Sequence, residues 1–331
     1  MEIKVVDNLK LTESLGKGAY GQVFLTEIEG KEGLYATKRL NRALFEKEEN
    51  IKRLYNEITI LKQIKHPNVV NYIESKKTKH HIYIVMEYCN GGSLSECLEK
   101  YIETFKHPFK EEIVQYLMRQ ILNGLDEFHS NNILHRDLKL DNILINFPSE
   151  NDKISLNMLN TTVKISDFGF SSILKHDNDL AKTTIGTPIY MPPEMVEANT
   201  YNKEIKYGNK ADIWSLGVLC YQMLTGNFPF YGKELNELEK NLKNGIYKLP
   251  RYFSQEAAFF IQAMLQENPE KRLNCKELLK QDFLNKDFSQ LQKINPEIIP
   301  GVIGQQNDFL LISILDNSKS NIKNPFILNN K

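Results

Sequence analysis

One eight-residue segment, His135 to Asn142, constrains this chain more than any other part of its sequence. Before it, apolar residues recur at helical spacing from 113 to 128, which predicts a helix with one apolar face. After it, a short apolar run over 143–145 predicts a buried strand. The polar residues between them are therefore expected to lie in a loop that joins a helix to a strand.

The polar residues of this loop suit phosphoryl transfer. Asp137 can accept a hydroxyl proton, Asn142 can offer an amide oxygen to a metal ion, and Lys139 can neutralise a transferring phosphoryl group. A metal site of this kind also needs a carboxylate, because Mg²⁺ prefers hard oxygen ligands. Asp167 supplies one, in an Asp-Phe-Gly sequence that directly follows another apolar run.

A glycine-rich segment, Gly16 to Gly21, has the pattern G-x-G-x-x-G. Taken alone the pattern is a weak signal, because glycine-rich turns are common. It lies between strands predicted over 9–15 and 22–28, whereas a dinucleotide-binding fold would place it between a strand and a helix. Glycines in such a turn allow backbone N–H groups to approach phosphates closely.

Lys38 and Glu57 form a candidate ion pair. Lys38 lies toward the end of the third predicted strand, 34–40, where a lysine is ordinarily solvated. Glu57 lies at the edge of the apolar stripe of a helix predicted over 45–64, and a carboxylate there is costly unless it is paired. A pair between the two side chains would aim the lysine at nucleotide phosphates.

These segments occur in one order along the chain and, together with Pro192-Pro-Glu194, resemble the eukaryotic protein kinase family over about residues 9–284. The resemblance implies an α+β, bilobal protein-kinase-like fold, with a small antiparallel β lobe carrying one main helix and a larger, mainly α lobe. The expected divisions are an N-terminal lead (1–8), an N-lobe with the hinge (9–89), a C-lobe (90–284) with a surface insertion (146–162), and a C-terminal tail (285–331).

The same resemblance implies a site that binds ATP and Mg²⁺ between the two lobes. Asp137, Lys139, Lys38 and Glu57 are the expected catalytic residues, and Asn142 and Asp167 are the expected metal ligands. Met86 would be the gatekeeper before the hinge. The residues expected to bind ATP are Leu15, Gly16, Lys17, Gly18, Ala19, Tyr20, Gly21, Gln22, Val23, Ala36, Lys38, Glu87, Cys89 and Leu144. Two supporting contacts are implied as well: Asp212 would brace the catalytic loop, and Arg272 would pair with Glu194.

The expected activity is transfer of the γ-phosphate of ATP to serine or threonine hydroxyls of proteins. Lys139 and the sequence Gly186-Thr187-Pro resemble serine/threonine kinases, in which Thr187 would contact the lysine. An arginine directly before Asp137, as at Arg136, resembles the pattern of kinases that are switched by phosphorylation of the activation loop. An upstream kinase or autophosphorylation would add that phosphate. Thr183 is the expected phosphosite and Thr184 its neighbour, because a phosphate there would give Arg136 a charge-assisted partner.

Alternatives remain open at this point. The insertion before Asp167 resembles the autophagy-initiating (ULK) group of kinases, and calcium/calmodulin-dependent-like kinases are the second candidate. By function class, the chain could instead be a catalytically silent nucleotide-binding scaffold of the same fold, or a small-molecule kinase. The segment 186–194 resembles a peptide-binding loop, which disfavours the small-molecule kinase.

Composition adds exclusions and expectations about partners. Lys+Arg and Asp+Glu number 42 each, so no bulk charge indicates binding to nucleic acid or to an anionic membrane. No signal sequence and no transmembrane segment is expected. The four cysteines lack metal-binding spacing, which favours free thiols. We expect a cytoplasmic protein, and by the resemblance its catalytic domain is expected to be monomeric. In the tail, the apolar run 309–315 is a candidate docking segment, and the sequence does not indicate what it docks on.

Overall fold

The computed structural model describes residues 4–18, 21–45, 54–55, 58–59, 61–167, 188–200, 208–232, 235–244, 246–288 and 309–313. The chain forms two compact units. The first contains residues 1–94, 123–137 and 141–181, and the second contains residues 95–122, 138–140 and 182–331.

The first unit is built on an antiparallel sheet. Its six strands are β1 (Lys4–Val6), β2 (Leu9–Gly18), β3 (Gly21–Ile28), β4 (Tyr35–Asn41), β5 (Tyr72–Lys77) and β6 (His81–Glu87). They follow the order β1-β2-β3-β4-β6-β5. Residues 82–86 of β6 are all buried, as their continuous apolar run indicates.

The strands predicted over 9–15, 22–28 and 34–40 are confirmed as β2, β3 and β4. The edge strands β1 and β5 were not predicted, because charged residues interrupt their apolar pattern. In the helix predicted over 45–64, the described residues 54–55, 58–59 and 61–63 are helical. A 3₁₀ turn, Arg42–Phe45, precedes that segment.

A two-stranded ribbon completes the strands of the first unit. It pairs β7 (Ile143–Asn146) with β8 (Thr162–Ile165), and both strands were predicted from their apolar runs. The segment between them, residues 147–161, lies mostly at the surface. It contains a short helix, α3 (Glu150–Ile154), and a 3₁₀ turn, Met158–Asn160.

The second unit is mainly helical. Its long central helix, α5 (Asn209–Thr225), is buried on nearly all sides, as its continuous apolar sequence indicates. Trp214 in this helix stacks on Phe230 at 5.5 Å between ring centroids. In chain order the described helices of this unit are α1 (Leu94–Phe105), α2 (Glu111–Ser130), α4 (Pro193–Thr200), α5 (Asn209–Thr225), α6 (Leu235–Asn244), α7 (Gln255–Met264), α8 (Cys275–Leu278) and α9 (Asp282–Asn285). Residues 123–130 of α2 belong to the first unit.

The second unit also contains one pair of antiparallel strands, β9 (Ile246–Pro250) and β10 (Phe309–Ser313). The second strand comes from the C-terminal tail and covers five residues of the apolar run 309–315. Across the described ranges, none of the helices combines the length and the apolar character needed to cross a bilayer.

Candidate functional site

An ion pair joins Lys38 to Asp167 within the first unit. Lys38 lies in β4, where the register places it between Val23 of β3 and Ile84 of β6. Its ammonium nitrogen is 2.5 Å from Oδ1 of Asp167, the second residue after β8. The lysine side chain is 13% exposed and the aspartate 43%, so the pair lies at the border between core and solvent. The strands thus bring together two predicted site residues that are 129 positions apart in sequence.

A second contact holds the carboxylate of Asp137. The amide nitrogen of Asn142 donates to the Asp137 backbone oxygen at 2.7 Å and to its Oδ2 at 3.1 Å. Asn142 is buried and ends a 3₁₀ turn, Leu140–Asn142. Because the amide nitrogen faces Asp137, the amide oxygen is the atom that could accept a cation.

Ser166 connects these two parts of the site. Its N–H and its hydroxyl both donate to the backbone oxygen of Asn142, at 2.8 and 2.9 Å. Its own carbonyl oxygen lies 2.9 Å from Nε2 of buried His135. Asp167 has φ of +56° and Arg136 has φ of +65°, in the left-handed region that costs free energy for residues other than glycine. Such backbone strain is often found where a site requires a particular side-chain position.

The described residues of the glycine-rich segment lie at the end of β2 and the start of β3. Gly16 lies opposite Val23, Lys17 opposite Gln22, and Gly18 opposite Gly21. The glycines at the two ends differ in their surroundings. A Cβ atom at Gly21 would overlap the carbonyl oxygen of Arg39, whereas a Cβ atom at Gly16 would meet nothing within 4 Å. Gly21 therefore permits the close approach of β3 to β4.

Three of the residues predicted to bind ATP lie on strands β2, β4 and β7 of the first unit. Ala36 is buried in β4, between Leu25 of β3 and Met86 of β6. Leu144 in β7 is opposite Lys164 and forms a bridge with Ser93, while Leu15 in β2 is 40% exposed. This placement provides apolar side chains of the kind that could enclose a planar base.

The hinge residue Glu87 has a structural partner for its side chain. Its Oε1 accepts from Lys164 Nζ at 2.8 Å and from the Asn71 N–H at 2.6 Å. A contribution of Glu87 to nucleotide binding would therefore come from its main chain. Nearby, burial raises the pKa of the Cys89 thiol to about 12, and the negative charge of Glu87 also raises it because it disfavours a thiolate. The thiol therefore stays protonated near neutral pH.

Several predicted site residues cannot be placed in this arrangement. Lys139 belongs to the segment 138–140 of the second unit, and Asp212 is fully buried in α5 of that unit. The remaining ones lie outside the described residues, namely Ala19, Tyr20, Glu57, Thr183, Thr184 and Thr187. The expected pair of Lys38 with Glu57 therefore stays a prediction.

The predicted pair of Glu194 and Arg272 is present in the second unit. Arg272 is fully buried and binds the carboxylate with two parallel hydrogen bonds, of 2.7 and 2.8 Å. It also donates to the backbone oxygens of Gln266 and Lys210, and its guanidinium lies 5.0 Å from the Trp214 ring centroid. This network joins the start of α4 to α5 and to the loop after α7.

Sequence reasoning missed two residues that organise the site. Ser166 carried no signal beyond its place before Asp167. The sequence around Asn68, His66-Pro67-Asn68, indicates only the end of a helix. In the structure its side chain donates to Val163 O at 3.0 Å and its carbonyl accepts from Ile165 N–H at 2.9 Å. It therefore fixes β8, and with it Asp167, to the loop that follows the helix of the sheet unit.

The donor set suits Mg²⁺. Asp167 offers a carboxylate and Asn142 an amide oxygen, which are hard oxygen donors, and Mg²⁺ commonly takes one or two protein carboxylates together with substrate phosphates. Among the described residues there is no cluster of three or more metal-ligating side chains, so an all-protein metal cage is not present in that part of the chain. The residues therefore fit a metal that is held jointly with a phosphate ligand.

Comparisons with known proteins agree with this geometry. The chain is similar to a probable serine/threonine-protein kinase of Dictyostelium discoideum, with 33% identity over 297 residues, 89% of this chain and 33% of the relative. It is 31% identical over 298 residues to CBL-interacting serine/threonine-protein kinase 8 of Arabidopsis thaliana, covering 90% of this chain and 62% of that protein. It is 32% identical over 275 residues to serine/threonine protein kinase OSK3 of Oryza sativa subsp. indica, covering 83% and 50%.

The chain spans between 33% and 62% of the length of these curated relatives. A family model described as the protein kinase domain matches residues 9–284, which is most of the chain. That range includes the ion pair of Lys38 with Asp167, the contact of Asp137 with Asn142, and the buried pair of Glu194 with Arg272. The chain belongs to the protein kinase domain family.

Proposed function

We propose that this protein is an ATP-dependent serine/threonine protein kinase that transfers the γ-phosphate to protein hydroxyls. The observation that carries the proposal is the ion pair of Lys38 with Asp167, linked through Ser166 and Asn142 to the carboxylate of Asp137. A cation, a metal-binding carboxylate and a candidate base lie in one connected network, which is the set of groups that phosphoryl transfer requires.

In this mechanism the protein mainly positions groups and neutralises charge. The carboxylate of Asp137, held by the Asn142 amide, accepts a hydrogen bond from the attacking hydroxyl and takes its proton as the new P–O bond forms. The bond between the γ-phosphorus and its bridging oxygen breaks in the same step, and ADP leaves with that oxygen. Lys38, aligned by β3 and β6, binds the phosphates of the nucleotide. Lys139 is proposed to offset the negative charge of the group in transfer.

Asp167 and Asn142 are proposed to hold Mg²⁺ together with the nucleotide. When bound, the metal would neutralise the charge that develops on the phosphate oxygens. Ser166 positions both of these residues, since it bonds to the Asn142 carbonyl and directly precedes Asp167.

The preference for serine and threonine, and regulation by phosphorylation, are finer parts of the proposal. The names of the relatives support the former. For the latter, a phosphate on Thr183 would pair with Arg136 and order the activation loop. Thr183→Ala should then lower phosphate transfer several-fold, while a variant with full activity would contradict the switch. We further propose a reducing compartment such as the cytoplasm, because the four cysteines are free and buried.

The test is transfer of labelled phosphate from ATP, with Mg²⁺, to generic protein substrates and to the kinase itself. Asp137→Asn should retain ATP binding and lose nearly all transfer. Asp7→Asn is the matched control, because it makes the same change at a side chain that is 72% exposed. Label on serine or threonine that disappears only in Asp137→Asn supports the proposal. ATP binding without transfer, in protein phosphorylated on Thr183, would instead indicate a nucleotide-binding scaffold.

A further inference from the structure

The C-terminal segment Phe309–Ser313 pairs with β9 as an antiparallel strand. The register joins Leu310 to Leu249 and Ile312 to Tyr247, with Leu311 opposite Lys248. In a strand, successive residues alternate between the two faces of the sheet. Positions 310 and 312 therefore share the face of two buried residues, while position 311 shares the face of an exposed lysine.

β9 itself is anchored within the second unit by the side chains of its buried face. Tyr247 and Leu249 are each 1% exposed. The Tyr247 ring lies 5.5 Å from the Phe230 ring and 6.2 Å from the Tyr221 ring, measured between centroids. The Tyr221 hydroxyl donates to the Lys248 carbonyl at 2.7 Å. Aromatic packing and this hydrogen bond thus hold β9 in place independently of the tail.

This anchoring makes β9 a preformed edge. β10 is the only strand that pairs with β9 among the described residues, so without the tail that edge would present unpaired N–H and C=O groups. An exposed edge of this kind is a template for pairing with another extended segment, in which main-chain bonds provide affinity and alternate side chains provide specificity. The tail run Phe-Leu-Leu-Ile-Ser has no charge, and its alternating positions match the two buried residues of β9.

We propose that the edge of β9 that pairs with β10 is a docking site for an extended apolar segment, and that residues 309–313 of the chain itself are its occupant. The tail strand is a reversible tether that pairs with the edge of β9. A peptide with the same alternation competes for the same edge. The phosphoryl-transfer groups take no part in this interaction, so it is independent of the proposed function.

The test uses amide hydrogen exchange of the full chain, followed in peptides that cover 246–249 and 309–313. The double variant Leu310→Asp/Ile312→Asp places charges opposite the buried residues of β9. Both segments should then exchange at least ten-fold faster than in the wild type. Leu311→Asp is the matched control, because its register partner is an exposed lysine, and it should retain protection. Equal exchange in the double variant and the control would overturn the proposal.

A second arm tests the edge itself. A synthetic peptide covering 307–315 is added to the full-length double variant, whose own tail strand is disabled while β9 is unchanged. Slower exchange of 246–249 supports a docking site, and a peptide with the same two Asp substitutions should have no effect. No protection by the unaltered peptide would overturn the docking site. Protection in the wild type that disappears on dilution would show pairing between two copies, and would overturn the assignment to the chain's own tail.

Discussion

Lys38 and Asp167, separated by 129 positions in the sequence, meet at 2.5 Å as an ion pair. Each is held by a different part of the first unit. Lys38 is placed by the register of three neighbouring strands, and Asp167 is placed by β8, which is fixed in turn by Asn68. The pair therefore forms only when the sheet and the β7–β8 ribbon have both folded and lie together at the proposed phosphate site.

Replacing the lysine tests its role in transfer. Lys38→Met should lower phosphate transfer by about 10²-fold or more, the scale expected when a preorganised charge-stabilising group is lost. Lys10→Met is the control, because Lys10 pairs with Glu27 at 2.8 Å in the same sheet but is 45% exposed. Transfer measured with labelled ATP should be unchanged in the control. Wild-type turnover of Lys38→Met would contradict the role proposed for this lysine.

The two ends of the glycine-rich segment should respond differently to alanine. At Gly21 the added methyl group overlaps Arg39, with the carbonyl carbon only 3.0 Å away, so Gly21→Ala should destabilise the fold by about 1–3 kcal/mol. Gly16→Ala adds its methyl group to open space and should change the free energy of unfolding by less than about 0.5 kcal/mol. Urea denaturation measures both. Equal losses at the two positions would refute the distinction between them.

The pair of Glu194 with fully buried Arg272 should be important for stability. Glu194→Gln leaves the guanidinium of Arg272 buried without its anionic partner, and we expect a loss of about 3–5 kcal/mol in the free energy of unfolding. Glu256→Gln makes the same change in a more exposed pair, with Lys286 at 3.0 Å, and should cost less than about 1 kcal/mol. The comparison is made by chemical denaturation. Similar losses in the two variants would show that burial does not decide the effect.

The insertion is organised by one carboxylate, and its pKa can be measured. Hydrogen bonds from Ser149, Asn160 and Asn157 lower the pKa of Asp152 below its usual value of about 3.9. Because the folded-state pKa is lowered, these bonds stabilise the folded state above the usual pKa and are lost as pH falls through the lowered value. The carboxyl carbon shift of Asp152 in NMR should follow this titration.

Removing one donor should move that titration upward. Ser149→Ala should raise the pKa of Asp152 toward its usual value. Ser155→Ala serves as the control, because the Ser155 hydroxyl donates to backbone carbonyls of the same helix and not to the carboxylate. If Ser149→Ala and Ser155→Ala titrate alike, the proposed cause of the shift is wrong.

Local sequence determined the character of the elements and of the reacting groups. Apolar patterns indicated the strands β2, β3, β4, β6, β7 and β8 and the largely buried helix α5, because side-chain burial follows the repeat of each type of structure. The short polar segments identified Asp137, Asn142 and Asp167 as candidates, since their chemistry belongs to residue types and local order. The resemblance to protein kinases then related these segments to one site.

Only the tertiary structure decided which distant groups meet. Lys38 contacts Asp167, Asn68 holds β8, and the tail strand lies against β9, and each of these contacts depends on strand register rather than on neighbouring sequence. The different surroundings of Gly16 and Gly21 are likewise invisible in the motif, because they depend on the approach of Arg39 from another strand. Sequence specifies chemical groups and local periodicity, whereas contacts across many residues arise only when the whole chain has packed.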